Sequence, residues 1–386
     1  MDIRITPRPL AGSIEAIASK SYAHRALIAA ALCDSPTRIF LNRRSKDIDA
    51  TIAALSALGS PITVDADYIT VFPMGKVSNP VVFCSESGTT ARMLLPIAAA
   101  LYESAVFTGE GSLLSRPFAI LCDAMTANGC HFDSNMLPIS YRGKLNSGTY
   151  EISGSESSQY ISGLLFALPL LGGCSRLLLT SPLQSAGYVD MTLDVLRRFG
   201  ISGGYESAGD EVYSSPGDLV VEGDWSNAAF WLAAGVDVTG LNADSCQKDK
   251  LFLPLSQSLE VDAGDVPDLV PILAVAAAGR QGSVSICNAS RLKIKESNRL
   301  ESVMQLLTSL GGDSEMLADG LVIHGRGSLR GGVVDSFNDH RVVMAAAIAS
   351  TFCEGTVVIK NAEAVEKSYP TFFDDFRKLG GIADVL

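Results

Sequence analysis

An α/β fold of six repeats, with largely buried helices and sheets laid over them, is predicted by three features of the sequence. First, five helical patterns end alike, in apolar residues followed by Gly or Gly-Gly: Ile48 to Gly59, Phe118 to Gly129, Val189 to Gly200, Leu300 to Gly311 and Phe372 to Gly380. Glycine suits the left-handed residue that closes a helix. These glycines lie 70, 71, 111 and 69 residues apart. Second, helices that are apolar on most sides begin near Lys20, Thr89, Ser158, Ser226, Asp268 and His340, at intervals of 69, 69, 68, 42 and 72. The interval of 42 implies that the fourth repeat has lost its second helix, and this loss accounts for the gap of 111. Both series then count six repeats, two sets of three. Third, mostly buried helices with short β-rich segments outside them imply sheets over a helical interior and not a nucleotide fold with its sheet inside, and no GxGxxG or GxxxxGK[ST] occurs, so no glycine-rich phosphate loop is expected.

Each full repeat is expected to hold one buried helix, one surface helix and short strands such as Ala105 to Thr108, Arg176 to Thr180, Ser283 to Ile286 and Thr356 to Ile359. A length of 386 residues suggests two domains. With 47% hydrophobic and 19% charged residues, the chain has the composition of a soluble globular protein. The longest nearly apolar runs, Leu164 to Leu171 and Leu269 to Ala278, are each broken by a proline and are far shorter than the roughly 18 residues of a membrane span. The N-terminus carries no signal-peptide pattern. Eight cysteines without a CxxC pair fit reduced thiols in a cytoplasm and predict no metal site. A net charge of -12 argues against nucleic-acid binding, so clustered basic residues become informative.

The clearest cluster is Arg291-Leu-Lys-Ile-Lys-Glu-Ser-Asn-Arg299. Leu300, Val303, Leu307 and Leu310 follow at helical spacing, predicting a helix from about Lys295 to Leu310. Lys20, Arg92, Arg116, Lys295, Arg299 and Arg341 all fall in the expected first turns of helices. There the macrodipole favours anions, so the bases create a conflict that a bound anion would resolve. Converging such helix starts would build a cavity for phosphates and carboxylates. Asp268, Glu296, Asp339 and His340 lie beside the same bases as candidate acid/base groups, and Lys367 precedes the last helix.

Taken together, Ser19-Lys-Ser-x-x-x-Arg25, Ser87-Gly-Thr-Thr-Ala-Arg92, Arg116-Pro117, Ser157-Ser-Gln159, Lys295-Glu-Ser-Asn-Arg299, Asn338-Asp-His-Arg341 and Lys367 closely resemble the 5-enolpyruvylshikimate-3-phosphate synthase family over nearly the whole chain. The resemblance implies a two-domain inside-out α/β barrel of six βαβαββ repeats, the fourth shortened. One domain would comprise residues 19 to 224 and the other residues 1 to 18 with 225 to 386. The active site would lie in the cleft between them.

The implied reaction moves the enolpyruvyl group of phosphoenolpyruvate to the 5-hydroxyl of shikimate 3-phosphate and releases phosphate through a tetrahedral intermediate. It belongs to the shikimate pathway of aromatic amino-acid biosynthesis. By the same resemblance, Ser21, Arg25, Ser157, Ser158, Ser185, Tyr188 and Lys295 hold shikimate 3-phosphate, and Asp268 bonds its reacting hydroxyl. Arg116, Arg299, Arg341 and Lys367, with the Gly88-Thr89 backbone, hold phosphoenolpyruvate, while Lys20 and Gln159 touch both. Asp268, Glu296 and Lys367 are the proton-transfer candidates, and His340 supports them. No cofactor, metal, nucleic acid or membrane is implied; the expected state is a cytoplasmic monomer.

Glu86, Arg291 and Asn298 depart from the commoner family pattern. A related enolpyruvyl transferase acting on UDP-N-acetylglucosamine typically carries a reactive cysteine five residues before the arginine matching Arg116; here that position is Gly111. A non-catalytic anion-binding relative is the other alternative, and it would have no need of Asp268, Glu296 and Lys367.

Overall fold

The computed structural model describes residues 1–386. Its contacts gather the chain into two lobes. The N-lobe holds residues 20–42 and 46–221; the C-lobe holds residues 1–19, 43–45 and 222–386. No helix is long and apolar enough to cross a membrane.

The N-lobe helices are α1 (Lys20–Ala31), α2 (Lys46–Ala57), α3 (Gly88–Leu101), α4 (Ala119–Thr126), α5 (Ser158–Ala167) and α6 (Ala186–Arg198). Those of the C-lobe are α7 (Trp225–Ala233), α8 (Phe252–Gln257), α9 (Val270–Ala278), α10 (Arg299–Ser309), α11 (His340–Ala349) and α12 (Phe372–Lys378). Helices α1, α3, α5, α9 and α11 are buried along almost their whole length, as helices apolar on every side must be. In contrast, α2, α6 and α10 bury one stripe each. The five glycines that close the surface-helix patterns, from Gly59 to Gly380, all adopt positive φ.

Six sheets cover these helices, and their pairing repeats. Each contains one parallel pair: Thr37–Phe40 with Asp218–Val220, Val81–Phe83 with Ser104–Thr108, and Thr149–Ile152 with Ser175–Leu179 in the N-lobe. The C-lobe pairs are Ser13–Glu15 with Asp237–Thr239, Glu260–Asp262 with Gln281–Cys287, and Gly332–Asp335 with Val357–Lys360. Five sheets add antiparallel strands to this pair. Ile3–Thr6 sits between Val357–Lys360 and Ile382–Val385, so the start of the chain completes a C-lobe sheet. The fold is the expected two-lobed α/β class with helices inside, although the six sheets remain separate and do not close into one continuous barrel.

Two expectations change. The fourth repeat keeps its parallel pair only, and a six-residue α8 survives in place of the missing surface helix. Around that stub Leu251, Leu253 and Leu259 stay exposed, the last at 70%. The helix expected from Lys295 begins instead at Arg299, because Ser290–Ile294 forms a separate 3-10 turn and Lys295 is extended. Its apolar stripe is as expected: Leu300, Val303, Leu307 and Leu310 are all buried.

Candidate active site

In the C-lobe the sequence-predicted bases meet acids. Arg299, the first residue of α10, is 1% exposed and bonds three carboxylates. Its Nε donates to Asp339 Oδ2 at 2.8 Å, its Nη1 to Asp268 Oδ1 at 2.7 Å, and its Nη2 to Glu296 at close range. Burial works against this charge, yet Asp339, Glu296 and Asp268 outweigh it and hold the guanidinium protonated well above its usual range. The conflict at the helix start is therefore met first by the protein's own carboxylates.

Asp268 stands in the 3-10 turn Pro267–Leu269 that leads into α9, and it joins the bases to one another. Its second oxygen accepts from Arg341 Nη2 at 2.8 Å, and Lys295 Nζ lies 3.7 Å from the first. Desolvation pulls the pKa of Lys295 down to about 8, with Arg299 and Arg291 acting in the same direction and Asp268 and Glu296 opposing. Asp339 caps α11 by accepting from Arg341 N at 3.0 Å while also holding Arg299, so it serves both as helix cap and as charge partner. His340, the first residue of α11, is buried beside it. Lys367 Nζ donates to Asn338 O at 2.8 Å from the turn Ala362–Lys367. Lys295, Glu296, Arg299, Asp268, Asp339 and Arg341 thus form one cluster, with Lys367 tied to the loop that enters α11.

The N-lobe set is held differently. Lys20 opens α1 and pairs with Asp47 of α2 at 2.8 Å. Ser87 caps α3, so the amides of Gly88 and Thr89 begin that helix. A Cβ on Gly88 would stand 2.9 Å from Arg116 Nη1, so the absence of a side chain there lets the guanidinium approach the helix start. Arg116 is 7% exposed, and its buried Nε has no acceptor. Unlike the expected pattern, Arg116 follows a 3-10 turn and Arg92 lies in the second turn of α3, so among the six bases only Lys20, Arg299 and Arg341 occupy first turns. Gln159 joins the next repeat to this one, donating to Thr89 Oγ1 at 2.8 Å and accepting from Arg92 Nη1 at 3.1 Å. Arg92 itself stacks 5.1 Å from the Tyr160 ring centroid and 5.6 Å from that of Phe118.

Ser157 caps α5 ahead of Ser158, and Ser185 precedes α6 in a left-handed conformation with φ 56°. That conformation is strained for a residue with a side chain. Arg25 is engaged within the lobe. It donates to the carbonyls of Ser21 at 2.7 Å and Tyr188 at 2.8 Å and to Thr192 Oγ1 at 2.8 Å, and burial lowers its pKa to about 10.

The departures from the family pattern also find places. Arg291 donates to Gly264 O at 2.6 Å, and Asn298 is the N-cap residue of α10. Glu86 packs over Gly111, where a Cβ would stand 2.5 Å from the Glu86 Cδ, and Gly111 adopts φ 56°. A side chain at Gly111 would require Glu86 to move and a left-handed backbone to carry it. Two acids at the site escaped the sequence reading. In sequence Asp47 is an ordinary first-turn acid of α2, and only folding brings it to Lys20. Buried Asp249, bonded to Ser226, carries no signal either, because only folding brings its turn against α7.

Interleaved bases and acids at the starts of inward-facing helices, on a six-repeat α/β fold, define an enzyme that handles anionic substrates with acid/base chemistry. The family model described as EPSP synthase (3-phosphoshikimate 1-carboxyvinyltransferase) matches residues 5–250 and 234–376. Relatives named 3-phosphoshikimate 1-carboxyvinyltransferase include that of Clostridium novyi (strain NT), 39% identical over 99% of this chain and 98% of its own. Another, from Clostridium acetobutylicum, is 40% identical over 98% and 97%. The solved structure of EPSP synthase from Acinetobacter baumannii shares the fold at a TM-score of 0.80, with 21% identity and complete coverage of both chains. The chain belongs to the EPSP synthase family.

Proposed function

We propose that this protein transfers the enolpyruvyl group of phosphoenolpyruvate to the 5-hydroxyl of shikimate 3-phosphate with release of phosphate. The observation that carries the reading is the C-lobe cluster, in which Asp268 is shared by Arg299 and Arg341 with Lys295 3.7 Å away. Addition forms a bond from the hydroxyl oxygen to the central carbon of phosphoenolpyruvate. The methylene carbon gains a proton and the hydroxyl loses one. Elimination removes a proton from the resulting methyl group, restores the double bond and breaks the bond to phosphate. The same few acid/base groups must therefore act in both halves.

In this proposal Asp268 bonds the reacting hydroxyl, and Asp268, Glu296 and Lys367 carry the protons, with His340 in support. Arg116, Arg299, Arg341, Lys367 and the Gly88-Thr89 amides hold phosphoenolpyruvate. Ser21, Ser157, Ser158, Ser185, Tyr188 and Lys295 hold shikimate 3-phosphate, and Lys20 and Gln159 serve both. Arg25 contributes by fixing the Ser21 and Tyr188 backbone. The two substrates bring about five negative charges at neutral pH, which the bases neutralise. Gly111, at the position where the UDP-N-acetylglucosamine enzymes carry their reactive cysteine, supports this reading over that reaction. A cytoplasmic monomer without cofactor is part of the proposal. Phosphate release from phosphoenolpyruvate should depend on added shikimate 3-phosphate and should be absent with UDP-N-acetylglucosamine. No release in the first arm would refute the assignment.

A further inference from the structure

One buried chain of polar groups in the N-lobe has no part in the roles assigned above. His24 of α1 places Nδ1 2.7 Å from Thr51 Oγ1 of α2. Thr51 Oγ1 lies 2.6 Å from Thr90 Oγ1 of α3, and Thr90 donates to Ser87 Oγ at 2.7 Å. Ser87 Oγ also accepts from Thr90 N, which makes it the cap of α3. All four residues are 1% exposed or less.

Each hydroxyl has one proton to give, and this fixes the direction of the chain. Thr90 gives its proton to Ser87, so Thr51 must donate to Thr90, and His24 must donate to Thr51 from Nδ1. His24 is then the neutral Nδ1-H tautomer, and its buried Nε2 is left without a partner. Burial, with Lys20 and Arg25 nearby, lowers its pKa well below the usual imidazole range.

The two ends of the chain lie beside groups assigned to substrate. Lys20 is one turn before His24 on α1, and its partner Asp47 is one turn before Thr51 on α2, so the Lys20-Asp47 and His24-Thr51 contacts form successive rungs between the same two helices. At the other end, Ser87 immediately precedes Gly88 and Thr89. We propose that His24 is a positioning residue for the transfer, holding the Gly88-Thr89 amides in register with Lys20 through Thr51, Thr90 and Ser87. This rests on the assignment of Gly88 and Thr89 to phosphoenolpyruvate.

Thr51→Val keeps the shape of the link and removes its hydroxyl; Thr51→Ser keeps the hydroxyl. Steady-state kinetics on the full chain should show the KM for phosphoenolpyruvate rising about fivefold in Thr51→Val, the equivalent of one neutral hydrogen bond. The KM for shikimate 3-phosphate should stay within about twofold, and Thr51→Ser should restore the wild-type value. An unchanged KM for phosphoenolpyruvate overturns the proposal, as does a parallel rise in both KM values or a failure of serine to rescue. Should Thr51→Val fail to fold, Thr90→Ser against Thr90→Ala is read by the same criteria. Gly88→Ala separates the two levels of inference, since its Cβ would stand 2.9 Å from Arg116 Nη1. If Gly88→Ala leaves the KM for phosphoenolpyruvate unaltered, the pocket assignment itself is wrong. If it raises that KM while the hydroxyl variants do not, only the positioning role is overturned.

Discussion

Replacing Asp249 by Asn should remove a loss of C-lobe stability that grows with pH. Asp249 is fully buried and bonded to the Ser226 hydroxyl. Burial above all, then the charges of Asp268 and Asp224, push its pKa from 3.8 to about 7, although Ser226 and Arg341 oppose the shift. A raised carboxyl pKa means that the folded chain holds the proton more tightly than the unfolded chain. Its contribution to stability is therefore complete below about pH 4 and is lost as pH rises through about 7. A shift of about three units corresponds to roughly 4 kcal/mol in full, of which about 2 to 3 kcal/mol falls between pH 5 and pH 8. Asparagine cannot ionise, so it removes this dependence; any fixed cost of its amide adds a constant offset.

Both tryptophans, Trp225 and Trp231, lie in the C-lobe, so tryptophan fluorescence during urea unfolding reports that lobe. The stability difference between Asp249→Asn and wild type should increase by about 2 to 3 kcal/mol from pH 5 to pH 8, with all other titrations cancelling. A difference that is the same at both pH values would refute the reasoning.

Asp268→Ala should lower turnover roughly 10² to 10⁴-fold while shikimate 3-phosphate still binds, and near-normal turnover would remove Asp268 from proton transfer. Arg299→Met leaves Asp339, 0% exposed, without its guanidinium partner. It should cost about 3 to 5 kcal/mol in urea unfolding at pH 7. Lys295, with a pKa near 8, is charged below that value, so calorimetric affinity for shikimate 3-phosphate should weaken from pH 7 to pH 9. Lys295→Arg should flatten that profile, and an identical pH dependence in the two proteins would exclude Lys295 as its cause.

The sequence alone determined the repeat count, the buried and surface helices and most of the bases and acids that the structure gathers. Apolar periodicity and glycine spacing are local properties, and the starts of α1, α5 and α11 follow from them directly. The Arg291-Arg299 stretch marks the limit of such reading: its bases were evident, but the start of the helix was not, because four non-helical residues, the first of them extended, separate the 3-10 turn from Arg299.

Tertiary structure alone decided what each charge faces. Asp339 and Asp268 lie 40 and 31 residues from Arg299 along the chain, so no sequence spacing reports their ion pairs. The protonation of Asp249 likewise depends on desolvation, and His24 acquires its tautomer from hydroxyls on two other helices. Electrostatic strength and proton placement are set by burial and by neighbours distant in sequence, and those exist only once the chain has folded.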